Sequence, residues 1–157
     1  MEVTFTRTGD RRYKVTVHGS GVVASTMDPA PGYDSLMPHD LAHFFVEKEL
    51  GIKGGVFGQI ALGGAFRPEV EKKKRKILRR KSKLANEYRD DALLSERMVA
   101  QSCSVWGKTE NAAKLPDATP DEKIMSVCRK FDRVSSEWSK LPVGGSITLT
   151  WESRTKR

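Results

Sequence analysis

The stretch of residues 34–51 constrains the fold most, because it has the pattern of a buried helix with two defined ends. Ser35, backed by Asp34, is a suitable N-cap, and Pro38 falls in the first turn, where its missing N–H costs little. Gly51 stands where a left-handed C-terminal cap is expected. The apolar residues that cover most of the circumference are Leu36, Leu41, Phe44, Phe45, Val46 and Leu50. We therefore predict a helix that other elements must surround.

Alternating apolar and polar residues near both ends of the chain predict an antiparallel sheet. Residues 3–7 and 13–17 alternate on either side of Gly9, which is typical of a β-hairpin with one buried face. Residues 146–151 alternate again, and we expect this strand to join the hairpin. Residues 20–26 could add a short further strand.

Two longer segments have helical patterns. The first of them begins at Pro68 and ends at Gly107. Its first half is almost entirely charged, and its second half carries an apolar stripe that should be buried. That stripe is Leu84, Tyr88, Ala92, Val99, Cys103 and Trp106. Thr119 opens a capping box with proline at the first helical position, so a second helix should begin there. Its buried stripe is Ile124, Val127, Cys128, Phe131, Val134, Trp138 and Leu141.

The glycine-rich residues 54–66 have two interpretations. They could be a phosphate-cradling loop, or a short helix whose glycines allow close packing on the first helix. We favour the helix, because neither G-x-G-x-x-G nor Gly-Lys-Ser/Thr is present there.

The prediction is one α+β domain over residues 1–157. A small antiparallel sheet, made of the N-terminal hairpin plus the C-terminal strand, is packed by three to four helices, one of them long with a cationic N-terminal half. Residues 69–83 should project as a basic helical segment or lie on the surface, and 152–157 form a short basic tail. Residues 111–118 should form a loop.

Localisation is predicted to be cytoplasmic. The apolar runs are far shorter than the ~20 residues of a membrane span, and no secretory signal begins the chain. Cys103 and Cys128 lack metal-binding spacing and suit a reducing compartment. Oligomeric state stays open.

Two of the three histidines share one face of the first helix. His39, His43 and Glu47 are spaced i, i+4, i+8, with Asp40 beside them. The HDxxH spacing is similar to that of the zinc-protease helix, where two imidazoles one turn apart reach one ion. Asp40 holds the position of the glutamate that activates metal-bound water, on a shorter side chain. We predict His39 and His43 as ligands of Zn²⁺ or another divalent metal, and His39, Asp40, His43 and Glu47 as the catalytic residues of a hydrolytic site.

Glu47 lies about 12 Å along the helix axis from His39, too far for both to bind one ion. We expect Glu47 to orient the imidazole of His43 instead. A third ligand must come from elsewhere in the chain. The candidates are His18, Asp28, Asp34 and Glu96.

Two alternatives need no metal. The histidines could act as general acid and base near neutral pH and, beside a cationic helix, serve a phosphodiester. They could also be structural, satisfying buried carbonyls or carboxylates, while Asp40 favours the helix N-terminus through the macrodipole.

The net charge of +8 comes from one segment, because residues 72–83 hold nine basic residues and no acid. Removing these nine from the 28 Lys and Arg leaves 19 against 20 acidic residues. The nine are Lys72, Lys73, Lys74, Arg75, Lys76, Arg79, Arg80, Lys81 and Lys83. They could bind nucleic acid or another polyanion in a salt-dependent way, or an acidic protein surface. No sequence-reading motif or interleaved aromatic residue accompanies them, so binding would be non-specific, and a solvated helix face is the alternative.

The run from Met27 to Glu47, Met-Asp-Pro-Ala-Pro-Gly-Tyr-Asp-Ser-Leu-Met-Pro-His-Asp-Leu-Ala-His-Phe-Phe-Val-Glu, is followed by Gly-Val-Phe-Gly-Gln. Together they resemble a block in small uncharacterised bacterial proteins. The resemblance covers residues 27–59, about a fifth of the chain. It implies a bacterial origin and no particular activity.

Overall fold

A computed structural model of the chain describes residues 1–68, 73–109 and 121–152. Within these residues, five antiparallel strands form one sheet in the order β4-β3-β2-β1-β5, and five helices accompany it. The strands are β1 (Glu2–Gly9), β2 (Arg12–His18), β3 (Ser25–Met27), β4 (Arg67–Pro68) and β5 (Ser146–Thr150). The helices are α1 (His39–Leu50), α2 (Val56–Ala61), α3 (Lys74–Glu87), α4 (Arg89–Trp106) and α5 (Glu122–Trp138). The predicted α+β class is confirmed.

The sheet has one apolar face, as the alternation predicted. β5 pairs with β1 at the hairpin, so the expected joining of the chain ends is confirmed. The ring of Phe5 on β1 packs edge-on against Phe44 of α1, with centroids 6.2 Å apart. On the opposite face Thr4 and Thr148 pair through hydroxyls 2.9 Å apart. The third strand begins only at Ser25, so the prediction over 20–26 was misplaced.

α1 occupies the centre of the helical layer and contacts α2, α4 and α5. Its predicted end is confirmed, because Gly51 adopts φ 71°, ψ 30°. Its predicted start is wrong, since the helix begins at His39 after Pro38. The carboxylate of Asp34 accepts hydrogen bonds from the N–H groups of Leu36 and Met37, at 2.8 and 2.9 Å. An Asp side chain bonded in this way stabilises a turn before the helix.

The predicted long helix is divided in two. α3 and α4 meet at Tyr88, whose φ of −109° and ψ of 27° leave the helical range. The Tyr88 ring packs against Gly54, where an added Cβ would lie 2.3 Å from the ring. This close contact lies at the junction. The division of the long helix is the reason why the described residues hold five helices instead of three to four.

α5 also begins later than the sequence suggested. Asp121 is its N-cap and accepts from the N–H of Ile124 at 2.8 Å, so the helix starts at Glu122. Asp is as suitable an N-cap residue as Thr. The Asp121 carboxylate makes the capping hydrogen bond that we predicted for Thr119. Thr119 and Pro120 lie outside the described residues, as do the predicted loop 111–118 and residues 153–157 of the predicted tail.

The described part of the basic segment lies on the surface of the domain. α3 buries Ile77 and Leu84 and leaves its basic side chains exposed. Arg80 donates to the carbonyl oxygen of Leu62 at 3.1 Å, which holds α3 beside α2. Residues 69–72, including Lys72, lie outside the described residues. Among the helices that are described, none combines the length and apolar character needed to cross a membrane.

Candidate metal centre

Packing of α1 against α4 brings two imidazoles and one carboxylate together. The Nε2 atoms of His39 and His43 are 3.0 Å apart. Glu96 on α4 places Oε2 3.7 Å from His39 Nε2 and Oε1 3.4 Å from His43 Nε2. This is the one group of potential ligands within metal-binding range in the described part of the chain. Glu96 is thus the member of the four predicted candidates that converges on the histidines.

These distances are close to those that a small cation requires. Zn²⁺ with bonds of 2.0–2.1 Å and tetrahedral geometry needs donor atoms about 3.3–3.4 Å apart. The two Nε2 atoms lie 3.0 Å apart, and the 3.4 and 3.7 Å distances run to different oxygens of Glu96, so the Glu96 carboxylate must turn to bring one oxygen within bonding range of an ion held by both rings. The side chain of Glu96 is 61% exposed, which leaves room for this movement.

A buried hydrogen-bond chain fixes the tautomer of His43. The Ser95 hydroxyl donates to Glu47 Oε1 at 2.7 Å. Because a hydroxyl has one proton, the 2.9 Å contact between Ser95 Oγ and His43 Nδ1 requires Nδ1–H to donate to Ser95. Neutral His43 therefore carries its lone pair on Nε2, the atom that faces Glu96 and is hydrogen-bonded to His39 Nε2. This is the form that binds a metal ion.

Glu47 is held in place by the start of α2. Its Oε1 accepts from Val56 N at 2.7 Å and its Oε2 from Phe57 N at 3.0 Å. Gly55 allows this approach, because a Cβ there would lie 2.2 Å from the Glu47 carboxyl carbon. The predicted orienting role of Glu47 toward His43 therefore agrees with the geometry, with Ser95 as the intermediate. The expected close packing of the glycine-rich helix on α1 is confirmed at the same place.

The two histidines have opposite electrostatic environments. Burial acts to lower the pKa of His43. The Glu47 carboxylate, whose Oε1 lies 3.4 Å from His43 Nδ1, outweighs burial through its hydrogen bond and charge and raises the pKa, with smaller effects from Glu96 and Asp40. For His39, burial and the neighbouring His43 lower the pKa. An ion at Nε2 of His43 would compete with a proton, so metal binding should strengthen as pH rises.

Asp40 points away from the imidazole pair. Its Oδ2 accepts a hydrogen bond from the hydroxyl of Tyr13 on β2, at 2.5 Å, and burial raises the pKa of its carboxyl group. A residue one position after His39 lies about 100° around the helix, which here faces the sheet. Its predicted catalytic role gains no support from this placement.

The remaining ligand candidates lie elsewhere. His18 is exposed at the end of β2, and Asp28 lies 3.3 Å from Arg12. Asp34 is engaged in the turn before α1.

A cavity of about 370 Å³ adjoins the centre. His43, Ser95 and Glu96 line it, together with apolar side chains of α2, α4 and the loop before β4. Lys81 and Arg89 also line the cavity. A ligand in this cavity would lie beside His43 and Glu96.

Sequence reasoning missed two supporting residues. Ser95 lies on the buried face of α4, four residues before Val99, and a polar residue in that apolar stripe was a usable signal. Gly55 gave a weaker signal, because only the packed structure shows that the Glu47 carboxylate lies where a side chain at position 55 would be.

The fold and site define a small α+β protein with a candidate centre of two histidines and one glutamate. No protein-family model, curated protein or solved structure matches the chain.

Proposed function

We propose that the protein binds a divalent transition-metal ion, preferentially Zn²⁺, through His39, His43 and Glu96 and uses it for hydrolysis. The observation that supports this proposal most is the convergence of three donor atoms, all within 4.8 Å of one another, beside a cavity. Two imidazoles and one carboxylate leave coordination positions open, as in catalytic zinc sites, whereas structural zinc sites are closed by four protein ligands.

A bound ion would lower the pKa of a water molecule and polarise the bond to be cleaved. Residues of the chain would orient the metal ligands and accept the proton. Ser95 and Glu47 hold the ring of His43 in its ligand tautomer. Glu96 would hold the ion through its carboxylate, which could also accept the proton that the attacking water loses. In hydrolysis the water oxygen bonds the electrophilic atom, the bond to the leaving group breaks, and the leaving group takes up a proton.

The first test is a calorimetric titration of chelator-treated protein with ZnCl₂. We expect one ion per chain, and no binding by the His39→Ala/His43→Ala double variant. Because His43 is buried, Glu96→Gln on the surface provides a second variant that should fold normally and still lose affinity. His18→Ala, an exposed histidine outside the centre, is the matched control.

The second test is catalysis. Hydrolysis of a panel of carboxylic and phosphoric esters should stop with chelator and return with Zn²⁺. Absence of zinc binding, or binding that the double variant and Glu96→Gln leave unchanged, would refute the metal proposal. Zinc binding without metal-dependent hydrolysis of any ester would restrict the site to a non-hydrolytic role.

A second candidate function is non-specific polyanion binding by α3. The observation that favours it is the exposure of eight basic residues in the described part of this segment. They are Lys73, Lys74, Arg75, Lys76, Arg79, Arg80, Lys81 and Lys83. We expect DNA or RNA binding that weakens steeply with salt and is reduced by Lys76→Glu/Arg79→Glu. Failure to shift either nucleic acid at low salt would remove this function.

A further inference from the structure

The cavity beside the metal centre has two chemically different parts. Most of its wall is apolar, formed by Val56, Ile60, Ala65, Phe66, Ala92 and Leu93. Lys81 from α3 and Arg89 from α4 add two cationic groups. Among the described residues of the lining, Glu96 supplies the one carboxylate, next to His43. A cavity of this kind suits a ligand with an apolar body and a negatively charged group.

Neither cation has a carboxylate partner among the residues that the structure describes. No ion pair within 4.0 Å joins Lys81 or Arg89 to an acidic side chain there, whereas Lys108 and Arg129 do have such partners, Asp132 and Glu122. An anionic ligand could therefore pair with Lys81 and Arg89 without displacing an acidic side chain from either. A carboxylate or phosphate gains charge-assisted hydrogen bonds from such groups, and the planar guanidinium can bind either one through two parallel bonds.

The helix geometry separates the anionic end from the reacting end. Arg89 and Glu96 are seven residues apart on α4, which is two turns, or about 10 Å along the axis. Ala92 and Leu93 lie between them and line the cavity. A ligand that reaches both ends therefore needs an apolar segment between its charge and its reacting bond.

We propose that the cavity binds a small amphiphilic anion. Its carboxylate or phosphate pairs with Lys81 and Arg89, its apolar body lies along Ala92, and its hydrolysable bond lies at His43 and Glu96. This assignment of a substrate class rests on the proposed hydrolytic function. The binding preference for amphiphilic anions depends only on the cavity and its two cations.

The test uses octanoate and octyl phosphate as probes, with octan-1-ol as the neutral probe of equal chain length and inorganic phosphate as the probe without an apolar body. Binding to chelator-treated protein is measured by calorimetry or by amide shifts in NMR spectra. Both amphiphilic anions should bind at least about tenfold more tightly than either octan-1-ol or inorganic phosphate. Comparison of the two anions shows which headgroup the cations prefer.

Matched variants locate the site. Lys81→Gln/Arg89→Gln should weaken anion binding by about tenfold or more and leave octan-1-ol unchanged. Lys76→Gln/Arg79→Gln removes the same charge from exposed positions that do not line this cavity, and should change anion binding by less than about twofold. Ala92→Phe fills the cavity and should weaken both anions and alcohol.

Equal affinity for octanoate and octan-1-ol, equal effects of the two charge-removing double variants, or no binding of any probe would each overturn the proposal. The assay contains no metal, so its outcome is independent of zinc binding. If the protein binds zinc but shows no selective binding of amphiphilic anions, this substrate class is rejected and the proposed metal site is retained. Selective anion binding without zinc binding would reject the hydrolytic function and leave an anion-binding cavity.

Discussion

Replacing Glu47 by Gln removes one charge from the core of the centre and keeps the shape of the side chain. Glu47 is 0% exposed and accepts three hydrogen bonds. Its Oε1 receives those of Val56 N and Ser95 Oγ, and its Oε2 receives that of Phe57 N. A glutamine has one acceptor oxygen, so its NH₂ group must face at least one of these donors.

The expected cost follows from those contacts. One hydrogen bond to a charged acceptor is lost, worth about 1.5–3 kcal/mol, and a buried N–H is left unpaired, worth about 1–3 kcal/mol. Removing a buried charge recovers part of this loss, so we expect the free energy of unfolding to fall by about 2–4 kcal/mol. Zinc affinity should fall about 10- to 100-fold, because a neutral amide oxygen is a weaker acceptor for Ser95 than the carboxylate and holds the tautomer of His43 less firmly.

The assay is urea unfolding of chelator-treated protein near neutral pH, followed by a competitive zinc titration. Glu96→Gln is the matched control, since it makes the same chemical change at a residue that is 61% exposed. The control should change unfolding by less than about 0.5 kcal/mol and still abolish tight zinc binding. If Glu47→Gln were as stable as the control, the proposed role of the hydrogen-bond chain would be wrong.

Three further predictions concern the support of the centre and the packing of the helices. Gly55→Ala should lower stability by about 1–3 kcal/mol in urea unfolding, because the new Cβ would displace the Glu47 carboxylate; no change would contradict this packing. Hydrogen bonds from Lys108 and Trp106 lower the pKa of Asp132, so its carboxylate stabilises the fold above pH 3.8 and this contribution is lost as pH falls through the folded value. Asp132→Asn should therefore lower the free energy of unfolding by less than about 1 kcal/mol near neutral pH, and this loss should become smaller in acid. A loss that becomes larger in acid would contradict the prediction. Burial raises the pKa of Cys103 to about 12, so native alkylation by iodoacetamide should be at least ~100-fold slower than in urea by mass spectrometry, and equal rates would refute the burial.

Several predictions that depended on local pattern were confirmed, whereas the predicted starts of α1 and α5 and the strand over 20–26 were not. The alternation of β1, β2 and β5 placed their apolar residues on one face, and Gly51 ended α1 as expected. Both are properties of a few neighbouring residues and need no knowledge of the rest of the fold. The spacing of His39 and His43 likewise follows from the helix alone.

Predictions that depended on tertiary contacts could not be completed from the sequence. Glu96 became the third member of the centre because α4 packs on α1, and nothing local separated it from the other candidates. Asp40 faces Tyr13 because the sheet lies on that side of α1. The division of the long helix at Tyr88 coincides with a contact to Gly54, more than thirty residues earlier.

The central claim is that His39, His43 and Glu96 hold one metal ion. Anomalous diffraction at the zinc edge, from crystals of the zinc-loaded protein, measures this directly. We expect one strong peak about 2.0–2.2 Å from Nε2 of both histidines and from one oxygen of Glu96. A map without that peak, in which the two imidazoles remain hydrogen-bonded to each other, would contradict the account.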